Sequence, residues 1–204
     1  MRDALEIISK EAVATEELRK RFFEENAENI AQAALQTAFA LAKGGKLLIC
    51  GNGGSAADAQ HVAGEFVNRF LLDRPALPAI ALTTDSSVLT AIGNDASFNQ
   101  IFARQVEALG RRGDVLLAIS TSGNSPNVLN AAETARSQDL FVIGLTGKGG
   151  RLGEFARMLI EVPSTHTPHI QEFHLVFEHL FCRLTDYFMF ENPEPLARLM
   201  RKDD

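Results

Sequence analysis

Through residues 1–43 apolar positions recur at helical spacing, Ile8, Ala12, Leu18 and Phe22 forming one stripe and Ile30, Ala34, Ala38 and Ala42 a second. Asn26 falls between the stripes and predicts an interruption; Gly44 and Gly45 predict the stop. Beyond them the pattern changes. Residues 46–50, 79–82, 115–119, 140–145 and 158–162 are short apolar runs separated by helical stretches. This alternation predicts an α/β fold, a parallel five-stranded sheet flanked by crossover helices, with ligand loops at the carboxyl ends of the strands. The last long segment, 170–190, carries Phe173, Leu175, Val176, Phe177, Leu180, Phe181, Leu184, Tyr187 and Phe188. It is apolar around most of its circumference, so it is expected to pack, with the N-terminal helices, against other subunits. The organisation predicted is one domain over 1–204: an N-terminal helical segment (1–43), an α/β core (44–165), and a C-terminal helix and tail (166–204).

Composition narrows what such a fold can do. A chain of 204 residues with 46% hydrophobic and 23% charged residues can bury one full core. Its net charge of −6 argues against a broad nucleic-acid or anionic-membrane surface, both of which need excess lysine and arginine. The first residues lack a signal-peptide core, and no run of about 18 apolar residues occurs, so the expected location is the cytoplasm. Two cysteines, Cys50 and Cys182, each sit inside an apolar segment and read as reduced core residues rather than a disulfide or a thiolate zinc site.

The chemistry is concentrated where strands give way to helices. Gly51-Asn52-Gly53-Gly54-Ser55 follows the first apolar run, and Ser120-Thr121-Ser122-Gly123-Asn124-Ser125 follows the third, with Pro126 suited to the first helical position. One such loop alone reads as a tight turn ending in a serine cap. Two at equivalent strand ends read as an anion cradle, because small residues admit a phosphate to the backbone and serine hydroxyls add donors without fixed charge. A dinucleotide site fits poorly, since the acidic residue expected after Gly51-x-Gly53-x-x-Ala56 would be Asp73, which precedes the next strand. Thr146-Gly147-Lys148-Gly149-Gly150 lacks the spacing of a P-loop.

His61 and Glu65 are four apart on the helix expected after the first loop, so both project from one face, which suits a shared metal or proton site or a solvated ion pair. On the last helix, spacing groups Gln171, His174 and Glu178 on one face and rotates His179 by roughly 80° from Gln171.

These residues together resemble a known family. The stretches Cys50-Gly51-Asn52-Gly53-Gly54-Ser55, His61 with Glu65, Ala91-Ile92-Gly93-Asn94-Asp95, residues 113–125, and Ile170-Gln171-Glu172 followed by His179 are similar to the sugar isomerase (SIS) domain. Within it they resemble the sedoheptulose 7-phosphate isomerases, also called phosphoheptose isomerases, over nearly the whole chain. The resemblance implies a flavodoxin-like three-layer fold whose terminal helices serve oligomerisation. It implies conversion of D-sedoheptulose 7-phosphate to D-glycero-D-manno-heptose 7-phosphate, the first step of heptose biosynthesis for bacterial lipopolysaccharide or surface polysaccharide. Homotetramers with one Zn2+ per subunit are implied as well. The implied substrate contacts are Asn52, Gly53, Gly54, Glu65, Asn94, Asp95, Ser120, Thr121, Ser122, Ser125 and Gln171, to which the cradle reading adds Ser55; the implied zinc ligands are His61, Glu65, Gln171 and His179. Thr167-Pro168-His169 departs from the family pattern, which carries an arginine before Ile-Gln-Glu.

Isomerisation through an enediol needs one group to move a carbon-bound proton and another to manage the oxygens. Glu65 is the expected carbon base and His179 its acid/base partner, with zinc or hydroxyl donors steadying the oxyanion. The alternative is a non-catalytic SIS protein that binds a replication-initiator partner or senses a phosphosugar. Such binding relatives tend to lack the carboxylate that this chain keeps at Glu65.

Overall fold

The structure is a computed structural model that describes residues 1–203. Helix α1 (Arg2–Ala42) leads into β1 (Leu47–Cys50), α2 (Gly54–Val67), β2 (Ala79–Ala81), α3 (Ser86–Asp95), α4 (Ala103–Leu109) and β3 (Val115–Ser120). Then follow α5 (Pro126–Ser137), β4 (Phe141–Gly147), β5 (Met158–Val162), α6 (Thr167–Asp186) and α7 (Glu194–Asp203). The five strands are all parallel, in the order β2-β1-β3-β4-β5. This is the flavodoxin-like arrangement, whose strand order reverses between β1 and β3.

Side chains alternate across each strand and so feed two cores. Leu47, Ile49, Val115, Leu117, Ile143 and Leu145 join Ile30, Phe66, Phe173 and Phe177, so α1, α2 and α6 form one outer layer. Leu48, Cys50, Leu116, Ala118 and Val142 meet Phe102, Val106, Val128 and Ala132 from α4 and α5 on the other face. The strands read as unbroken apolar runs because both faces are covered. Cys50 and Cys182 are free and buried. Among the described residues no helix is long and apolar enough to cross a membrane.

Three local expectations change. Asn26 does not interrupt α1, which runs unbroken for 41 residues. Its buried amide donates to the carbonyls of Phe22 and Glu161 (3.0 Å each), and its oxygen accepts from the Glu161 N–H at 3.2 Å. A polar residue in the middle of an apolar face thus extends the ladder of the edge strand β5. Ser55 is not a helix cap either: it lies inside α2, and Gly53, at φ 56°, occupies the cap position.

The third change concerns α6. Phe173, Phe177 and Phe181 are buried within this one chain, against α1 and α2, so the helix does not need another subunit to cover it. Its exposed apolar residues reduce to Leu175, and Phe190 beyond it. The helix also ends sooner than 190. A π turn spans Tyr187–Glu191, closed by Asn192 N–H on the Tyr187 carbonyl, and Pro193 stops it before α7.

Candidate active site

The loops after β1 and β3 flank the point where the strand order reverses, where ligands of open α/β sheets bind. A reciprocal amide pair ties them together: Asn52 Nδ2 donates to Asn127 Oδ1 and Asn127 Nδ2 to Asn52 Oδ1, both at 2.8 Å. Asn127 is buried at the start of α5, and its Oδ1 also accepts from the Val128 N–H. Sequence reasoning missed this residue; its place just after Ser125-Pro126, in the first turn of a helix opening beside the second loop, was the available signal.

Within the second loop, Ser120 Oγ donates to Ser125 Oγ at 3.0 Å, and Ser122 Oγ accepts from the Asn124 N–H at 3.2 Å. Gly123, at φ 64°, lies so close to Gly149 O and Thr146 Oγ1 that a Cβ would come within 2.8 Å of each. The backbone there needs glycine on both counts. The Gly123 carbonyl accepts from Arg151 and Leu152, while Thr121 O accepts from the Gly147 N–H, so loop 147–151 buttresses the cradle from behind.

Helix α2 rises from the first loop and carries Asp58, His61 and Glu65. His61 Nε2 faces Glu65 Oε1 at 3.4 Å, while its Nδ1 lies 3.1 Å from Glu178 Oε2 on α6. His179 meets His61 edge to face, ring centroids 5.2 Å apart, and stacks on Phe70 at 5.6 Å. The Gln171 amide sits directly over Gly54, where a Cβ would overlap it. Thus His61, Glu65 and His179 converge between α2 and α6, about two to three turns along α2 from the first loop, while Gln171 reaches Gly54 at the head of α2. Both faces of α6 weighed from spacing reach α2, one through Glu178 and the other through His179.

Arg74 braces this arrangement from below. It pairs with Asp186 at 2.9 Å, both side chains almost fully buried, and donates to the carbonyls of Glu65 and Phe66 near the end of α2. Cationic side chains at a helix C-terminus satisfy its open carbonyls. The turn of α2 that carries Glu65 is therefore held at its C-terminal end.

Asn94 and Asp95 stand apart. Asn94 Nδ2 donates to Asp95 Oδ1 at 2.7 Å, and both are exposed at the end of α3, a helix that buries none of its residues in this chain. His169 is engaged elsewhere, its Nε2 lying 2.7 Å from Glu11 Oε2 on α1. His174 is fully buried, and neither ring nitrogen has a hydrogen-bond partner. Burial pulls it down to about 4, the nearby Thr146 backbone working weakly the other way. It is a neutral core residue.

Burial, and then the Asp58 carboxylate, push Glu178 up to about 9. Asp58 is itself raised by burial, with His61 opposing.

Among the described residues no group of three or more His, Cys, Asp or Glu side chains stands ready-made as a metal site. The donor chemistry nevertheless fits a zinc ion, because a ring nitrogen and a carboxyl oxygen face each other while the second ring nitrogen is held by a buried carboxyl group, the kind of support a ligating histidine uses. Two clefts of about 490 and 1050 Å³ open instead at the amino ends of the strands, lined by Lys46 and Arg111 and by Arg136 and Arg157 respectively. They hold none of this chemistry, and the loop cluster is the better candidate.

A doubly wound sheet with serine- and glycine-rich loops at its switch point, and a His/Glu/His group along the helix that leaves the first of them, defines a sugar-phosphate-binding domain of isomerase type. The family model described as "SIS domain" matches residues 12–147. The phosphoheptose isomerase of Desulfovibrio desulfuricans is 58% identical over 201 residues, covering 98% of this chain and 96% of that protein. That of Burkholderia pseudomallei is 57% identical over 151 residues, covering 74% and 77%. The solved phosphoheptose isomerase of Neisseria gonorrhoeae superposes with TM-score 0.84 at 43% identity, over 90% of this chain and 98% of that one. That of Francisella tularensis gives 0.86 at 41%, with the same coverage. The chain belongs to the phosphoheptose isomerase family of SIS-domain enzymes.

Proposed function

We propose that the chain interconverts D-sedoheptulose 7-phosphate and D-glycero-D-manno-heptose 7-phosphate, supplying heptose for a bacterial surface polysaccharide from the cytoplasm. The observation that carries this reading is the convergence of His61, Glu65 and His179 on one another, on the helix that leaves the first loop and on the one packed against it. The phosphate is bound by the loop amides and by the hydroxyls of Ser55, Ser120, Thr121, Ser122 and Ser125. Glu65 takes a proton from carbon 1 of the ketose and returns it to carbon 2. His179 protonates the carbon-2 oxygen as the enediol forms, then takes the proton from the carbon-1 hydroxyl as the aldehyde forms, leaving the count of protons unchanged. His61, Glu65, Gln171 and His179 are the residues to hold one zinc ion, which when bound would polarise the substrate oxygens.

A homotetramer belongs to the same reading. Asn94 and Asp95 are exposed on a helix that has no fully buried residue, and Leu5, Ile7, Ile8 and Val13 are exposed along the first turns of α1. A second copy over these surfaces would bury apolar area and bring further groups to the site. The direct test is incubation of the protein with sedoheptulose 7-phosphate in deuterated water, following aldose formation and carbon-bound deuterium by NMR. Retention of the ketose with no exchange at carbon 1 refutes the reading and leaves a phosphosugar-binding protein.

A further inference from the structure

We propose that Glu178 is the positioning residue for His61, holding the ring by Nδ1 so that Nε2 is committed to the side of Glu65. Its catalytic consequence rests on the isomerase reading above. The contact is 3.1 Å, and it joins an exchangeable ring to a carboxyl group with no solvent exposure at all, whereas His61 and Glu65 keep 31% and 26% of their side-chain surfaces open. The buried end is therefore the fixed end, and the ring is oriented from the inside outward.

Stability gives no reason for a carboxyl group at this position. Glu178 Oε1 is buried without a hydrogen-bond partner, and the nearby Asp58 carboxyl group further disfavours its ionisation. Burying such a group costs free energy that an apolar side chain of the same volume would not. Its neighbours on α6 show what packing alone selects there: Phe173, Phe177 and Phe181 fill the adjoining core. What Glu178 does make is one contact, to the histidine at the centre of the site. Three carboxyl groups then surround that ring, Asp58 and Glu65 on its own helix and Glu178 across from it. Without an anchor the imidazole can turn about its side-chain bonds and exchange which nitrogen faces Glu65.

The test compares the wild type with Glu178→Gln and Glu178→Met. The amide can still bond to Nδ1 from the same place, whereas the thioether fills the space and holds nothing. Both should fold, the Met variant melting no lower than the wild type; Glu178→Leu is the substitute if it does not. Nitrogen-15 spectra of labelled histidines are recorded first. The wild type and the Gln variant are expected to show one defined His61 tautomer, and the Met variant the averaged signals of a free ring. In turnover the Met variant should lose about ten- to a hundredfold in kcat with KM little changed, and the Gln variant should recover most of it. Unchanged His61 signals in the Met variant, or equal loss in Gln and Met, overturn the proposal. If the ring responds as expected but even the wild type fails to turn over sedoheptulose 7-phosphate, the positioning stands and the isomerase reading falls.

Discussion

Replacing Glu65 with Gln keeps the outline of the side chain and removes its ability to accept a proton. Loss of a general base costs about 10² to 10⁴ in rate, so kcat should fall by that much while binding of the sugar phosphate, measured by calorimetry, persists. At position 174 the expectation is opposite in kind. Burial depresses His174 from 6.5 to about 4, so the folded state excludes a proton that the unfolded chain takes up. The stabilisation is complete above pH 6.5 and is lost as pH falls through 4, about 3 kcal/mol across that window. Urea titrations of His174→Leu should lack this slope, and its kcat near neutral pH should stay near wild type, whereas His179→Ala should abolish turnover. Helical spacing made His61 and Glu65 legible as a pair and grouped Glu178 with Gln171 and His174 on one face, because three- and four-residue intervals share a face. Asn127 could be suspected only from its place after Ser125-Pro126, and Arg74 not at all, since each works by reaching a segment distant in sequence.

Elements follow the same division. The five strands could be read almost to the residue because a sheet covered on both faces demands continuous apolar runs. The single helix α1 could not, because Asn26 is satisfied by Glu161, a partner 135 positions away. Asn26→Ala should leave the partly buried Glu161 amide and carbonyl without these partners and cost about 1–3 kcal/mol in chemical denaturation, with the helix content of the folded state unchanged. Helix α6 was misjudged for a related reason. A segment apolar on most sides needs cover, but a 41-residue helix of the same chain supplies it. A charge at Phe181 would therefore unfold the subunit and report nothing about assembly.

For the whole molecule, the apolar surface still open lies elsewhere, at Ile8 (64% exposed) on α1 and at Phe98 (62%) beside α3. Neither side chain contributes to the subunit's own core. If the proposed tetramer forms, Ile8→Glu with Phe98→Glu should leave the circular dichroism and melting cooperativity of the subunit intact while lowering the mass seen by sedimentation below that of the wild type. Activity should fall together with the mass. A wild type that sediments as a fully active monomer would remove the shared-site arrangement and leave the chemistry of Glu65 untouched.

The amide pair between the two loops also bears on chemical ageing. Asn52-Gly53 is the one Asn-Gly step in the chain, the kind of sequence most open to succinimide formation and conversion of the amide to a carboxylate. In the folded protein that attack must first break two 2.8 Å bonds to Asn127, so the loop should age slowly when folded and quickly once loosened by mild denaturant. The product would set a negative charge in the cradle where a phosphate must bind. Protein stored at alkaline pH should therefore lose sugar-phosphate affinity in step with the appearance of a more acidic band on isoelectric focusing, and Asn52→Ser should show no such band.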